Sequence, residues 1–302
     1  MRSLDIWRCA IVRKAAGAVQ QADLTADNLV WLPPTRPCSF RADPFGLWDD
    51  GKLHIFVEYF DYRNREGAIE LLVYDEQLTL LRTRIVMKPP WHLSYPLVFR
   101  ADGEIWMLPE ARRSGQLTLY RARAFPDDWE ATTTIDIDRA AVDATPLFHN
   151  EKWWLFYGRG QRNGGDGMEL NIAFADRLTG PWRPHPLNPV RRGANGTRPA
   201  GTPLVRDTGH IDLPVQNSER TYGGSVRRLA ISQLDEQRFE AEVLDWLGPA
   251  PSLSPYIDGL HTLSVADGIA LIDCKRIDRS VMGNLSWHRG RFIERLRRRH
   301  QH

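Results

Sequence analysis

One arrangement of apolar and polar positions recurs five times along the chain. A short polar opening, usually holding a proline, leads into an apolar run; a Gly or Asn/Asp turn follows, then a second, more strongly apolar run. The first copy is Arg41-Ala-Asp-Pro-Phe-Gly-Leu-Trp, the turn Asp49-Asp-Gly-Lys and the run Leu53-His-Ile-Phe-Val-Glu. Ser94-Tyr-Pro-Leu-Val-Phe with Glu104-Ile-Trp-Met-Leu-Pro-Glu repeats it, as does Asp143-Ala-Thr-Pro-Leu-Phe with Trp153-Trp-Leu-Phe-Tyr. Ala200-Gly-Thr-Pro-Leu-Val with His210-Ile-Asp-Leu-Pro-Val-Gln is the fourth copy, and Gly259-Leu-His-Thr-Leu-Ser-Val with Ile269-Ala-Leu-Ile-Asp a weaker fifth.

Pro44, Pro96, Pro146 and Pro203 are 52, 50 and 57 residues apart, and His261 lies 58 beyond the last. A period of about 50 residues is the length of a four-stranded propeller blade with its loops. Segments 69–74, 117–122, 168–175 and 225–231 supply third strands, and Phe125-Pro-Asp-Asp-Trp129 and Leu178-Thr-Gly-Pro-Trp182 mark outer turns. The pattern predicts an all-β, five-bladed β-propeller of four-stranded antiparallel blades over residues 1–280. The stretch 7–13 reads as a strand that completes the last blade and closes the ring. An open β-sandwich with a second domain is the competing architecture, and the regular spacing speaks against it.

Composition agrees with that picture and narrows the partners. The chain has 302 residues, 42% of them hydrophobic, and 11 Trp and 20 Pro suit stacked sheets better than helical bundles. A net charge of +2 gives no case for nucleic acid or an acidic membrane. The local exception is residues 281–302, a basic tail expected to be a short helix, with six Arg between Arg289 and Arg299 beside Phe292, Ile293 and Leu296. It reads as a solvated helix docking a few apolar residues, or as a site for an acidic partner. Cys9, Cys38 and Cys274 have no framework or metal-site spacing. Residues 1–10 carry Arg2, Asp5 and Arg8, and no run of eighteen apolar residues occurs. The expectation is a cytoplasmic protein without a membrane span.

A circular arrangement of blades brings the residues that open each innermost strand to a shared axis. These are Arg41 and Asp43, Ser94 and Tyr95, Asp143 and Thr145, Arg198 with Thr202, and Gly259 with His261. Asp43 and Asp143 provide two carboxylates, the raw material for acid–base chemistry at a sugar linkage. Glu58 and Glu110 each follow their unit's proline by 14 residues, and Gln216 follows Pro203 by 13, closing apolar strands where a charge needs a use. The plainer reading pairs the two Glu with Arg63, Arg112 or Arg113, and makes Asp43 a turn starter. His261 is the sole histidine opening an inner strand. His149, His185 and His210 fall in turns and read as solvated. The Gly-rich stretches 158–167 and 193–201 read as mobile loops, without a phosphate-cradling motif. No Ser-His-Asp or Cys-His nucleophile signature is found.

The strings Arg41-Ala-Asp-Pro-Phe, Ser94-Tyr-Pro-Leu-Val-Phe, Leu108-Pro-Glu-Ala, Trp153-Trp-Leu-Phe, Arg198-Pro-Ala-Gly and Gln216 with Tyr222-Gly-Gly resemble one family. It is the N-terminal domain of plant glucosamine inositolphosphorylceramide transferases, with their stand-alone bacterial relatives, over roughly residues 5–280. More distantly the chain is similar to the five-bladed propellers of arabinanases, xylosidases and invertases. That resemblance implies a carbohydrate ligand, with Asp43 as base or nucleophile, Asp143 orienting substrate and tuning the acid, and Glu110 as the acid. Arg41, Glu58, Tyr95, Arg198, Gln216, Tyr222 and His261 are then substrate-binding candidates. A calcium ion near His261 is implied by some such glycosidases; no other cofactor or catalytic metal is expected. The second unit opens with Tyr95-Pro96 where the first has Asp-Pro. The glycosyltransferase domain that follows this region in the plant proteins is not in the chain, so the resemblance does not carry their transferase activity.

The leading functional expectation is glycosidase-like hydrolysis or transfer at a sugar or glycoconjugate linkage. The alternatives are a non-catalytic carbohydrate-binding propeller, or a biosynthetic tailoring enzyme that reuses the same pocket.

Overall fold

The structure, a computed structural model, describes residues 3–137, 141–159 and 168–299. It is a five-bladed propeller. Blade 1 runs outward through Ser39–Asp49, Lys52–Asp61, Glu66–Tyr74 and Leu80–Met87, all antiparallel. Blade 2 is Ser94–Ala101, Glu104–Glu110, Leu117–Ala124 and Asp128–Ile135. Blade 3 is Val142–His149, Lys152–Arg159 and Glu169–Ala175, edged by the short strands Arg183–Pro184 and Arg191–Arg192. Blade 4 has a broken innermost strand, Asn195–Pro199 and Leu204–Val205, then Ile211–Asn217, Ser225–Leu234 and Phe239–Leu247.

Blade 5 joins the chain's two halves. Leu263–Ala266 and Ile269–Asp278 are its inner strands, and Leu4–Val12 and Leu29–Trp31 complete it from the other end of the sequence. Nine consecutive residue pairs, Leu4–Asp278 to Val12–Ala270, hold the junction in register. The ring is therefore closed by a β-ladder, which opens only if the whole ladder parts.

A blade exposes two faces and can bury them only against its neighbours. Accordingly, an apolar cluster fills each interface between blades. Phe45, Phe56, Leu97 and Met107 join blades 1 and 2, while Trp106, Leu119, Trp153 and Tyr157 join blades 2 and 3. Trp154, Phe156, Leu213 and Leu229 lie between blades 3 and 4. Val226 and Leu247 meet Leu263 and Ile272 between blades 4 and 5, and Ile11 and Leu271 meet Leu53 and Leu72 between blades 5 and 1.

Three innermost strands share a local irregularity. Their pairing slips between Ala42 and Phe45, between Ser94 and Leu97, and between Val142 and Thr145. In each bulge one non-glycine residue takes a left-handed backbone: Asp43 (φ 51°), Tyr95 (φ 47°) and Asp143 (φ 50°). Bulges of this kind re-aim a side chain, and a left-handed non-glycine residue costs on the order of 1–2 kcal/mol. The structural twin of Pro44 and Pro96 is therefore Ala144, two positions before Pro146.

Two loop expectations need correction. Within 193–201, Asn195–Pro199 is a strand with Gly196, Thr197 and Pro199 buried, so the segment is part of the blade's inner wall; residues 160–167 of the other Gly-rich stretch lie outside the described residues. His185 is buried, not solvated, because its Nδ1 accepts Leu187 N–H and its Nε2 meets the Asp235 carbonyl. The basic tail is helical, over Val281–Arg299. No helix among the described residues is long and apolar enough to cross a membrane.

Gly201 (φ 139°) forms a parallel bridge to Leu263 where blades 4 and 5 meet, and a Cβ there would stand 1.7 Å from the Leu263 carbonyl oxygen. Backbone cannot yield as a side-chain tip can. Gly201→Ala should cost about 3 kcal/mol or more, read as a lowered midpoint in urea unfolding. A change below about 0.5 kcal/mol would show that the blades do not approach so closely.

Candidate active site

The axial pocket, a cavity of about 330 Å³, is lined by Asp43, Glu58, Glu110, Arg198, Tyr222 and His261, with Asp5, Trp7, Phe40, Phe60, Tyr62, Arg65, His92 and Ser94. Among the described residues, those of all blades but the third line it directly; the third contributes Asp143, buried just beneath. The lining mixes acids with aromatic rings, a composition that suits the polar edges and apolar faces of a sugar.

Two polar groups divide the axis. On one side, Asp43 Oδ2 accepts Tyr95 N–H at 3.2 Å and Oδ1 accepts the Thr262 hydroxyl at 3.1 Å, with His261 Nε2 3.5 Å away. Asp43 N–H itself donates to Asp273 Oδ2 at 2.9 Å. On the other side, Asp143 N–H donates to Glu110 Oε2 at 3.2 Å. The Asp143 carboxylate takes a fork of bonds from Arg198 and a further one from Gln216 Nε2 at 3.1 Å. Arg198 also stands 3.5 Å from Glu110.

Two of the acids that line the cavity, Asp43 and Glu110, hold a proton more tightly than an ordinary carboxyl. Burial pushes Asp43 up to about 7; His261 opposes this, while Glu58, Asp143 and Asp273 add to it. Burial raises Glu110 well above the ordinary range and Asp143 reinforces the shift, outweighing the pull of Arg198. For His261, burial favours the neutral ring, but Asp273 and Asp43 overcome it and the net shift is upward. The ring also stacks on Trp7 with centroids 3.8 Å apart, a contact that favours imidazolium.

Asp43, His261 and Asp273 could each offer an atom to a metal, the three lying within 4.8 Å of one another. They fit calcium poorly. Asp273 Oδ1 already accepts the backbone N–H groups of His261 and Thr262 and contacts His261 Nδ1, and its Oδ2 takes Asp43 N–H. Calcium needs six to eight oxygen ligands. Here the His261 ring stands between the two carboxyl groups, which shift it upward, toward its charged form.

Of the residues singled out by sequence, Asp43, Glu58, Glu110, Arg198, Tyr222 and His261 line the cavity, and Asp143 and Gln216 lie directly behind them. Arg41 and Tyr95 are placed elsewhere. The Arg41 guanidinium is held by Glu70 and the Pro33 carbonyl, behind the innermost strand. Tyr95 is fully buried at the axis, its hydroxyl meeting Thr145 and accepting Gly201 N–H. Two of the three suggested arginine partners of the glutamates are engaged elsewhere: Arg63 with Asp61 and Arg113 with Glu294. Glu58 instead pairs with His92 at 3.2 Å.

Sequence reasoning missed His92, Asp273, Trp7 and Lys275. Asp273 interrupts the apolar run Ile269–Cys274, the same signal that drew attention to Glu58 and Glu110. Lys275, fully buried, reaches Thr221 Oγ1 at 3.0 Å and the Tyr222 carbonyl, pinning the loop that presents Tyr222.

Residues 13–247 match the family described as glucosamine inositolphosphorylceramide transferase 1, N-terminal. The chain belongs to that family. Similar curated proteins include glucosamine inositolphosphorylceramide transferase 1 of Oryza sativa subsp. indica, 32% identical over 208 residues, and that of Arabidopsis thaliana, 33% identical over 215. Each match covers 68% of this chain but only 28% of the relative, so the chain spans little more than a quarter of their length. Among solved structures, a family 117 glycoside hydrolase from Zobellia galactanivorans is similar at a TM-score of 0.54 and 15% identity, covering 81% of this chain and 86% of its own. A structure from family 130, described as containing hydrolases that target β-1,2 mannosidic linkages in Candida mannan, reaches 0.58 at 12% identity, covering 80% and 90%. These likenesses establish the five-bladed fold.

The proton held by Asp43 has a thermodynamic signature. Its pKa is about 7 in the folded chain against an ordinary 3.8, so folding takes up a proton between those values. The stability this contributes is complete below about pH 4 and is lost as pH rises through about 7. The Asp43 proton alone should therefore account for a loss of roughly 3 kcal/mol between pH 4.5 and 7.5, a slope that Asp43→Asn should flatten. Urea unfolding across that range checks it, and parallel slopes for the two proteins would rule it out.

Proposed function

We propose that the axial pocket binds a sugar residue of a glycan or glycoconjugate and acts on its glycosidic bond. The observation that carries this reading is that Asp43 and Glu110 open onto one cavity with their pKa values displaced, Asp43 to about 7 and Glu110 upward. A pair of carboxyls in which one ionises while the other keeps its proton is the equipment for general acid–base cleavage.

In this reading Glu110 gives its proton to the glycosidic oxygen as the bond to the anomeric carbon breaks. Asp43, ionised above about pH 7, accepts the proton of an incoming water or hydroxyl, whose oxygen forms the new bond to that carbon. Water as acceptor gives hydrolysis; a hydroxyl gives transfer. Asp143, tied to Arg198 and Gln216, sits beside Glu110 and reinforces the upward shift by which the donor keeps its proton. Phe60, Tyr62 and Tyr222 place aromatic side chains at the cavity wall. Membership in a family whose full-length relatives are named as sugar transferases supports a carbohydrate ligand.

One observation favours a second reading, recognition without turnover. Both Asp43 oxygens already accept hydrogen bonds, and Arg198 lies against both Asp143 and Glu110. The acids would then only receive sugar hydroxyls.

The two readings part on turnover. A glycan array finds the ligand, and its labelled form is then incubated with wild type, Asp43→Asn and Glu110→Gln. The catalytic reading expects both variants to bind within a few-fold of wild type while turnover falls about 10²–10⁴-fold. Binding of a glycan by wild type with no product at any pH from 5 to 9 would leave the recognition reading standing. Full activity in Asp43→Asn would remove Asp43 from the chemistry.

A further inference from the structure

The helix Val281–Arg299 has two unlike faces. One is packed on the propeller: Gly283, Trp287, Gly290 and Glu294 recur at helical spacing, and Gly283, Gly290 and Glu294 are buried. At Gly290 the helix lies directly on blade 1, where an added Cβ would stand 2.0 Å from the Tyr62 carbonyl oxygen. Glu294 is anchored by Arg65 at 2.8 Å and Arg113 at 3.1 Å.

The opposite face is apolar and uncovered. Val281, Met282, Leu285 and Phe292 are 62–65% exposed, the four most exposed large apolar side chains among the described residues. Leu285 and Phe292 are two turns apart on one stripe, and Val281 continues it. Flanking the stripe are exposed Arg289 and Arg295, with Arg297, Arg298 and Arg299 following in sequence. Glu294 is the one acid in 281–302, and it is turned inward.

We infer that this outer face is an interfacial anchor for an anionic lipid surface. A helix that shows water an apolar stripe bordered by arginines has the two features that hold an amphipathic helix in the headgroup region: apolar area and attraction to negative lipid. A second copy of the chain suits the face badly: parallel pairing would set one arginine cluster against another, and antiparallel pairing would lay each cluster over residues 281–285, which offer it no carboxylate. Nucleic acid would use the arginines and leave the stripe in water. The inference is independent of the chemistry assigned to the axial pocket. Because the inner face rests on Tyr62 and Arg65, both lining that pocket, docking turns the pocket's rim toward the surface.

The test uses the full chain with sedimented vesicles of phosphatidylcholine alone or mixed with phosphatidylserine. Wild type should sediment with the mixed vesicles, less so as salt is raised, and weakly with the neutral ones. The double variant Leu285→Glu, Phe292→Glu should bind the mixed vesicles at least about tenfold more weakly with an unchanged melting temperature, since these side chains face away from the propeller. Four results would overturn the inference. They are wild type staying in the supernatant with both vesicles, equal binding to both, a double variant that binds like wild type, and a wild-type dimer in solution that the double variant turns into a monomer. A lowered melting temperature in the double variant would also count against it, because it would mean the face is packed.

Discussion

Carboxylates buried at the axis must be satisfied by protein donors, and in this propeller the donors are largely backbone N–H groups of the next blade. Asp273 of blade 5 accepts the N–H of Asp43, Asp43 accepts that of Tyr95, and Glu110 of blade 2 accepts that of Asp143. Each donor sits in a bulge whose left-handed backbone points the N–H across the blade boundary. Tyr95 extends the links to Thr145 and Gly201, so all five blades are stitched by groups that would otherwise be unsatisfied. Leaving one such group unpaired costs about 1–3 kcal/mol, comparable to the backbone strain of the bulge. The strained turns and the buried acids therefore stabilise one another, and neither would persist alone.

That arrangement also sets the electrostatics. Each half of the axis has one basic side chain placed against acids and beside an aromatic ring. His261 lies between Asp43 and Asp273 on Trp7, and Arg198 lies by Asp143 and Glu110 with its guanidinium 5.3 Å from the Tyr222 ring centre. Each basic group faces more than one carboxyl. The surplus is relieved by protonation, and the proton goes to the acids that are buried yet lack a fork of charged donors, Asp43 and Glu110. Asp143, gripped by Arg198 and Gln216, is the partner that stays bound to its donors.

The blades were legible because a half-buried sheet writes its pattern locally: apolar run, turn, apolar run, at a steady interval. The N-terminal strand could be assigned to the last blade because a ring of this kind needs closing. Alignment of the units on their prolines failed at blade 3, since the conserved geometry is the bulge and not the proline: Ala144 fills the place of Pro44 and Pro96. The direction of a side chain was less legible still. Arg41 is one residue short of Ala42 and two from Asp43, and on a pleated strand the bulge decides which of them faces the axis. His92 and Trp7 were hidden for another reason. They reach the pocket from a loop and from a third strand, positions that strand-opening residues do not reveal.

The helix changes what the pocket is. Arg65 lines the cavity with Glu58 and Asp5, and alone it would add an unbalanced positive charge at the rim. Glu294 neutralises it and ties it to Arg113, so the charge balance at the mouth depends on a segment outside the family-matched residues 13–247. The same contact fixes the helix's rotation: with Glu294 and both glycines turned inward, the apolar stripe has no choice but to face outward. One ion-pair cluster thus sets both the electrostatics of the rim and the orientation of the exposed face. Relatives that share the propeller without this helix would keep the axial network and lose that coupling, because nothing in the five blades replaces Glu294 between Arg65 and Arg113.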